Sequence, residues 1–238
     1  MPHVKGFNVA ILVNEGSKGN IPMKVAFEII FKTISPESQL NFYDPVHAQS
    51  YPDVSKYDLI VLSGGSVFVM EEIPWVMKMR SFIRSTIAEH PQKKILGICW
   101  GHQIINVALG GRVQEMGSAK IGVQTVPLTK AGSVFLGDAL LQPGQINIQK
   151  FHKRDVAEPV VGFTALADNN EAFVNLDNTI LTFQGHPEMN VEWGSEAAAG
   201  FPAYVTLTGY SMEEIQEHIR RPTDGEAIWR RVLRWVEE

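Results

Sequence analysis

A chain of 238 residues, 45% of them hydrophobic, is long enough to bury a full α/β core, and a net charge of −5 with scattered Lys and Arg gives it no basic stripe for nucleic acid. No apolar run nears the roughly 20 residues that a membrane span needs. Cys99 is the sole cysteine, so no disulfide can form within the chain. With Met1-Pro2-His3-Val4-Lys5-Gly6 lacking the apolar stretch of a secretory signal, this implies a reducing, cytoplasmic setting.

In chain order, Phe7 to Val13 is an apolar run suited to a strand buried on both faces. Asn14 to Asn20 is polar and glycine-containing, and a helix is expected from about Pro22 to Lys32, with Pro22 in its first turn. Leu40 to Tyr43 and Asp58 to Leu62 read as further short strands, the latter ending at Ser63-Gly64-Gly65-Ser66. Trp75, Met79, Phe82 and Ile83 share one face of a helix predicted from Pro74 to Glu89. Lys94 to Ile98 is the fourth strand, and a helix from His102 to Leu109 is stopped by Gly110-Gly111.

Strands alternating with helices imply a parallel sheet covered on both faces, with chemistry collecting beyond the carboxyl ends of the strands. Past Gly111 the texture changes. Arg112–Glu115, Ile121–Leu128, Gln145–Phe151, Phe163–Ala167, Ala172–Asn175 and Thr179–Phe183 are short and turn-separated, as expected of a β-rich insertion followed by a return to the main sheet. A loop from Asn190 to Gly209 is expected next, then helices over Ser211–Arg220 and Asp224–Val236. Trp229, Val232, Leu233 and Val236 form a packing stripe on the last helix, and Arg220-Arg221 and Arg230-Arg231 read as solvated faces.

The fourth strand and its helix are joined by Gly97-Ile98-Cys99-Trp100-Gly101, a Gly-x-Cys-x-Gly turn that would hold the thiol out over the end of the sheet. Amide groups at the start of the helix would then face any negative charge forming beside it. A lone cysteine is also a common small core hydrophobe, and the turn by itself leaves both readings open. His186-Pro187-Glu188 tips the balance toward a nucleophile. A thiol needs a base, and the base an orienting group; the proline keeps the pair extended so that the glutamate can reach one ring nitrogen while the other faces sulfur.

Gly-Ile-Cys-Trp-Gly-His-Gln followed by Gln-Gly-His-Pro-Glu resembles the class I (triad) glutamine amidotransferases. The resemblance also takes in Tyr57 to Gly65, Gly97 to Gly111, Phe151-His152 and Thr182 to Glu188. It leans toward small stand-alone members related to the amidotransferase part of GMP synthase, some of which act as γ-glutamyl peptidases. The implied fold is an α/β, flavodoxin-like one: a mostly parallel central sheet, helices on both faces and a β-rich insertion. Residues 1–238 would form a single domain with a C-terminal helical extension from about 205 to 238.

Carried over residue by residue, the resemblance makes Cys99 the nucleophile, His186 the base and acid, and Glu188 the orienting carboxylate. The amides of Gly65 and Trp100 would form the oxyanion hole. Gln103 and Phe151 would meet the glutamyl part, and His152 either joins that surface or packs. The implied activity is hydrolysis of a γ-glutamyl amide, either glutamine or a γ-glutamyl peptide such as glutathione or its conjugate, through a thioester on Cys99. The alternatives are an amidotransferase subunit passing ammonia to a separate synthetase, and a catalytically weak regulatory or binding member.

The expected partner is a small-molecule substrate, with a synthetase subunit possible, and neither nucleic acid nor membrane. No cofactor is implied, because no dinucleotide or phosphate-loop fingerprint occurs, and no metal, because the seven histidines lack ligand spacing. An α/β-hydrolase-like or deglycase-like enzyme would draw its histidine from elsewhere and leave Glu188 idle. The chain departs from the family pattern at Ser66, where many relatives have proline, and at Arg154, where many have aspartate. Lys120-Ile121-Gly122 stands where many have an acidic residue.

Overall fold

The computed structural model describes residues 6–16, 20–137 and 140–238. Met1 to Lys5, weighed above for a signal, and residues 17–19 of the first polar connection lie outside the described residues. In chain order the elements begin with β1 (Asn8–Leu12), α1 (Asn20–Ile34), β2 (Gln39–Tyr43), β3 (Leu59–Leu62), α2 (Pro74–Glu89), β4 (Lys94–Ile98) and α3 (Trp100–Ala108). There follow β5 (Arg112–Pro127), α4 (Lys130–Leu136), β6 (Gln145–Glu158), β7 (Phe163–Ala167), β8 (Ala172–Asn175) and β9 (Ile180–Phe183). The chain ends with α5 (Val191–Gly200), α6 (Pro202–Thr208), α7 (Met212–Ile219) and α8 (Gly225–Glu237).

The main sheet runs β2-β1-β3-β4-β9-β8-β7. Its first five strands are parallel, and β8 and β7 close one edge antiparallel. Successive residues of a strand point to opposite faces, so Leu59-Ile60-Val61-Leu62 must be apolar throughout to be covered on both. One face packs Val61, Leu96 and Ile98 against Phe27 and Phe31 of α1 and against Trp229 and Leu233 of α8. The other packs Ile60, Leu62 and Ile95 against Met79 and Ile83 of α2 and Ile104 and Ile105 of α3. Pro74 sits at the start of α2, where its missing N–H costs nothing.

The predicted return to the main sheet is present, since β9 inserts beside β4 with Ile98 opposite Phe183. The insertion differs in detail. Arg112–Glu115 and Ile121–Leu128 are one strand, β5, that keeps pairing with β6 across a register shift between Glu115 and Lys120. The intervening Met116-Gly117-Ser118-Ala119 reads as a break because its polar and small residues carry no alternation, yet the partner strand continues past it. Strand β6 likewise runs on to Glu158 rather than ending at Phe151.

The expected loop from Asn190 to Gly209 is instead two helices. Asn190 caps α5 by accepting the Trp193 amide at 2.9 Å, and Pro202 opens α6. Gly194, Gly200 and Pro202 disguise the helical period, although asparagine and proline are helix-start signals. Arg231 is no solvated residue: its guanidinium lies over the Phe135 ring, donates to the Phe135 carbonyl and pairs with Glu238. Arg220 and Arg221 are exposed, and Arg230 pairs with Glu226 along the helix.

Trp229 is fully buried, with Phe27 and Phe31 edge-on to it at 5.9 and 5.2 Å. Trp229→Ala is therefore expected to lower unfolding free energy by about 3–5 kcal/mol, read from the urea midpoint. Among the described residues its indole N–H has no hydrogen-bond partner, so Trp229→Phe, which keeps a ring there, should cost clearly less.

Candidate active site

Strand β4 delivers the chain to the upper edge of the sheet, and Cys99 then turns it with φ 50° and ψ −99°. Neighbouring hydrogen bonds hold this conformation. The Cys99 amide donates to the Phe183 carbonyl at 2.8 Å, Gly101 to Ser63 at 3.1 Å, and Gln103 to Cys99 at 3.1 Å. The flanking glycines are steric necessities. A Cβ on Gly101 would lie 2.1 Å from the Leu62 carbonyl oxygen, and one on Gly97 2.7 Å from that of Gly101. Helix α3 can start against β3 and β4 only because both side chains are absent.

His186 arrives from the neighbouring strand. Its amide donates to the Gln149 carbonyl at 2.8 Å, tying the segment after β9 to β6. The ring packs over Gly64 and meets the edge of Trp193 at 5.4 Å. Nδ1 donates to Glu188 Oε1 at 2.8 Å, and the Cys99 sulfur lies close enough to the ring to act on it electrostatically. Cys99 and the His186–Glu188 pair, which lies far along the chain from it, thus form one chain of contacts, all buried. Burial opposes charge on the imidazole, but the Cys99 sulfur and the Glu188 carboxylate outweigh it and raise its pKa well above the ordinary histidine value.

Of the remaining predicted residues, Gly65, Gln103, Phe151 and His152 line the same cavity, of about 450 Å³, whereas the Trp100 side chain packs behind it. Gly65 lines it, wedged so that a Cβ would sit 2.5 Å from the Asn14 carbonyl oxygen. Trp100 opens α3 and anchors the loop after β3, its indole N–H donating to the Val67 carbonyl at 2.7 Å and its ring stacking on Trp75. Gln103 lines the cavity with its amide nitrogen donating both to the Arg154 carbonyl and to Gln184 Oε1, each at 3.0 Å. The Phe151 carbonyl is 3.9 Å from Cys99 Sγ, and its ring stacks on Tyr204. His152 edges the cavity while buried, with Nδ1 donating to the Arg154 carbonyl at 2.8 Å and Nε2 without a hydrogen-bond partner among the described residues.

Sequence reasoning passed over a buried polar cluster behind these groups. Lys150, 1% exposed, bonds Glu171, which also takes Lys120 at 3.0 Å. Burial works against the Glu171 carboxylate, yet Lys150, His152 and Lys120 outweigh it and hold its pKa down at about 2. His152 and His102 are pulled to about 3, chiefly by burial, and are neutral. Within Gln145–Phe151, which also holds Asn147 and Gln149, nothing local sets Lys150 apart. Arg154, Trp193 and Tyr204, which also line the cavity, carry no motif. Among the described residues no group of three or more His, Cys, Asp or Glu could hold a metal, and no helix is long and apolar enough to cross a membrane.

The neutral histidines set an acid limb on stability. Their folded pKa values lie below the unfolded value, so the unfolded chain binds more protons as pH falls and stability drops with it. Between pH 7 and pH 5 each is expected to cost up to about 2 kcal/mol. Urea midpoints should fall over that window, and His152→Gln should flatten the slope.

Comparison with known proteins gives the family. The family model described as "Glutamine amidotransferase class-I" matches residues 33–197. The chain is 34% identical to the glutamine amidotransferase-like protein chyE of Penicillium rubens, over the full length of both. It is 31% identical to gamma-glutamyl peptidase 3 of Arabidopsis thaliana, over 59% of this chain and 58% of that one. With a glutamine-hydrolyzing GMP synthase subunit of Sulfolobus acidocaldarius it shares 30% identity, over 64% of this chain and 79% of that one. A glutamine amidotransferase from Thermotoga maritima superposes with a TM-score of 0.77 over all of both chains at 20% identity, which speaks to the fold. The chain belongs to the class I glutamine amidotransferase family.

Proposed function

We propose that the protein hydrolyses a γ-glutamyl amide through a thioester on Cys99, as one domain spanning the chain. The observation that carries this reading is the buried contact chain from the Cys99 sulfur through the His186 ring to Glu188, at the rim of a cavity. Sulfur attacks the γ-carbonyl carbon, and negative charge moves to the oxygen. The amides of Gly65 and Trp100 are assigned to receive it. The C–N bond then breaks as His186 gives its proton to the departing nitrogen, leaving a γ-glutamyl thioester. Water, deprotonated by the same imidazole, attacks the thioester, expels the thiolate and releases glutamate.

Glu188 holds the ring by Nδ1, so that Nε2 is the nitrogen presented to sulfur and substrate. Gln103, Phe151 and His152 are assigned to the glutamyl part, on the β6 side of the cavity. Similarity to gamma-glutamyl peptidases as well as to a glutamine-hydrolyzing synthase component supports the shared acyl chemistry, whichever amine leaves. A synthetase partner and a cytoplasmic setting are compatible with this reading and are not required by it.

Cys99→Ala and Cys99→Ser are expected to abolish glutamate release from γ-glutamyl substrates with circular dichroism unchanged; turnover at the parent rate in either would remove the mechanism. His186→Ala should lower kcat by about 10³-fold or more, and Glu188→Gln by less, because it disturbs ring orientation and not the proton carrier. Equal losses would assign Glu188 another role.

A further inference from the structure

This inference rests on the proposed acyl transfer and concerns the half of the cavity that the triad leaves open. At the tetrahedral carbon, oxygen turns toward Gly65 and Trp100, and the glutamyl chain toward β6. The departing nitrogen must lie within reach of the His186 ring. Whatever that nitrogen carries therefore extends along the wall beside His186. Trp193 forms that wall, its ring edge-on to the imidazole, together with Met189, Met23 of α1 and the rest of one α5 face. On that face Trp193, Glu196, Ala197 and Gly200 fall at i, i+3, i+4 and i+7, and all line the cavity.

The described carboxylates that line the cavity are Glu15, after β1, and Glu196, on α5. Among the described residues the cations that line the cavity, Lys153 and Arg154, stand on β6, on the glutamyl side, where an α-carboxylate would meet them. Arg154 is fixed there, its guanidinium bonded to Glu115 at 2.8 Å and to the Ser66 carbonyl at 3.1 Å, and lying over Phe68. The one charged group on the α5 wall is Glu196, exposed at the rim and in no ion pair among the described residues. Ammonia, the leaving group of glutamine, gains nothing from an apolar wall, whereas an apolar substituent gains about 25 cal/mol for each Å² it removes from water. A carboxylate placed there would lose water and face a like charge.

We infer that the preferred substrate is a γ-glutamyl amide of a bulky apolar amine that bears no carboxylate, such as an arylalkylamine, and is neither glutamine nor a γ-glutamyl amino acid or peptide. Trp193, Met189 and Met23 seat the apolar part, and Glu196 disfavours an anionic one.

The test compares kcat/KM for release of free glutamate from γ-glutamyl-phenethylamide, γ-glutamyl-phenylalanine and glutamine, in the full chain and in Glu196→Lys. The phenethylamide should exceed both others by roughly tenfold or more, the discrimination a filled apolar pocket can supply. Glu196→Lys should narrow the ratio of phenethylamide to phenylalanine substrate several-fold. If glutamine or the phenylalanine compound is preferred, or the ratio ignores Glu196→Lys, this inference is overturned while γ-glutamyl hydrolysis stands. If none of the three releases glutamate, the acyl-transfer reading fails and takes this inference with it.

Discussion

The backbone of Cys99, with positive φ and ψ near −99°, is the constraint on which the site depends. Such a conformation costs about 1–3 kcal/mol at a non-glycine residue and persists only where surrounding structure over-determines it. Here β4 lies between β3 and β9, so the turn inherits a position from both neighbours. The amides of residues 99 and 101 are each taken by a carbonyl of one of the chain segments alongside, Phe183 and Ser63. Close approach of Gly101 to Leu62 leaves the first turn of α3 nowhere else to go. The sulfur is placed by the sheet, and local flexibility has little part in it.

The same sheet supplies the histidine. Because β9 is the parallel neighbour of β4, residues following Phe183 leave the sheet at the edge where Cys99 turns, and separation along the chain ceases to matter. The inserted arm then enters through backbone bonding, as His186 donates to Gln149 of β6. Beneath that junction one carboxylate gathers several elements. Glu171 bonds Lys150 of β6 and Lys120 of β5, while its own carbonyl takes the Gln184 amide just after β9. A buried ion pair gives up hydration on both partners, so it is no simple source of stability. What it does here is join the arm and the sheet behind Cys99.

Much of this was legible in the chain. Apolar runs of strand length marked the parallel strands, and the glycine bracket marked the turn at Cys99. The short His-Pro-Glu segment after a strand marked the His186–Glu188 contact, because each of these features depends on residues close in sequence. The misses share one cause, that tertiary contacts override local pattern. Residues 116–119 lack alternation but are carried through by the partner strand β6. Helices α5 and α6 contain glycines and a proline that weaken the helical period, and packing of Ala198 and Val205 against Ile121, Ile215 and Ile219 sustains them. Arg231 reads as solvent-facing from the pairing with Arg230, but α4 brings Phe135 under its guanidinium. Lys150 reads as one more polar residue of a strand until Glu171, on a separate strand connection, is placed against it.

In the proposed reaction this division between local and tertiary signals becomes a division of labour around the reacting carbon. Its sulfur comes from the β4–α3 turn. Its oxygen would face the loop after β3, its glutamyl chain the strand β6, and its departing nitrogen the helix α5. The first two depend on short motifs with steric reasons for nearly every residue, and those are the parts a sequence displays. The α5 wall contains no member of the triad, and it touches the chemistry only through the edge of Trp193 against His186. Side chains there can change the shape and charge offered to the amine without moving the sulfur, the imidazole or Glu188. Choice of leaving group is therefore structurally separable from the acyl chemistry, which is why an intact triad identifies the bond that is cut and leaves the amine to be read from the wall that would hold it.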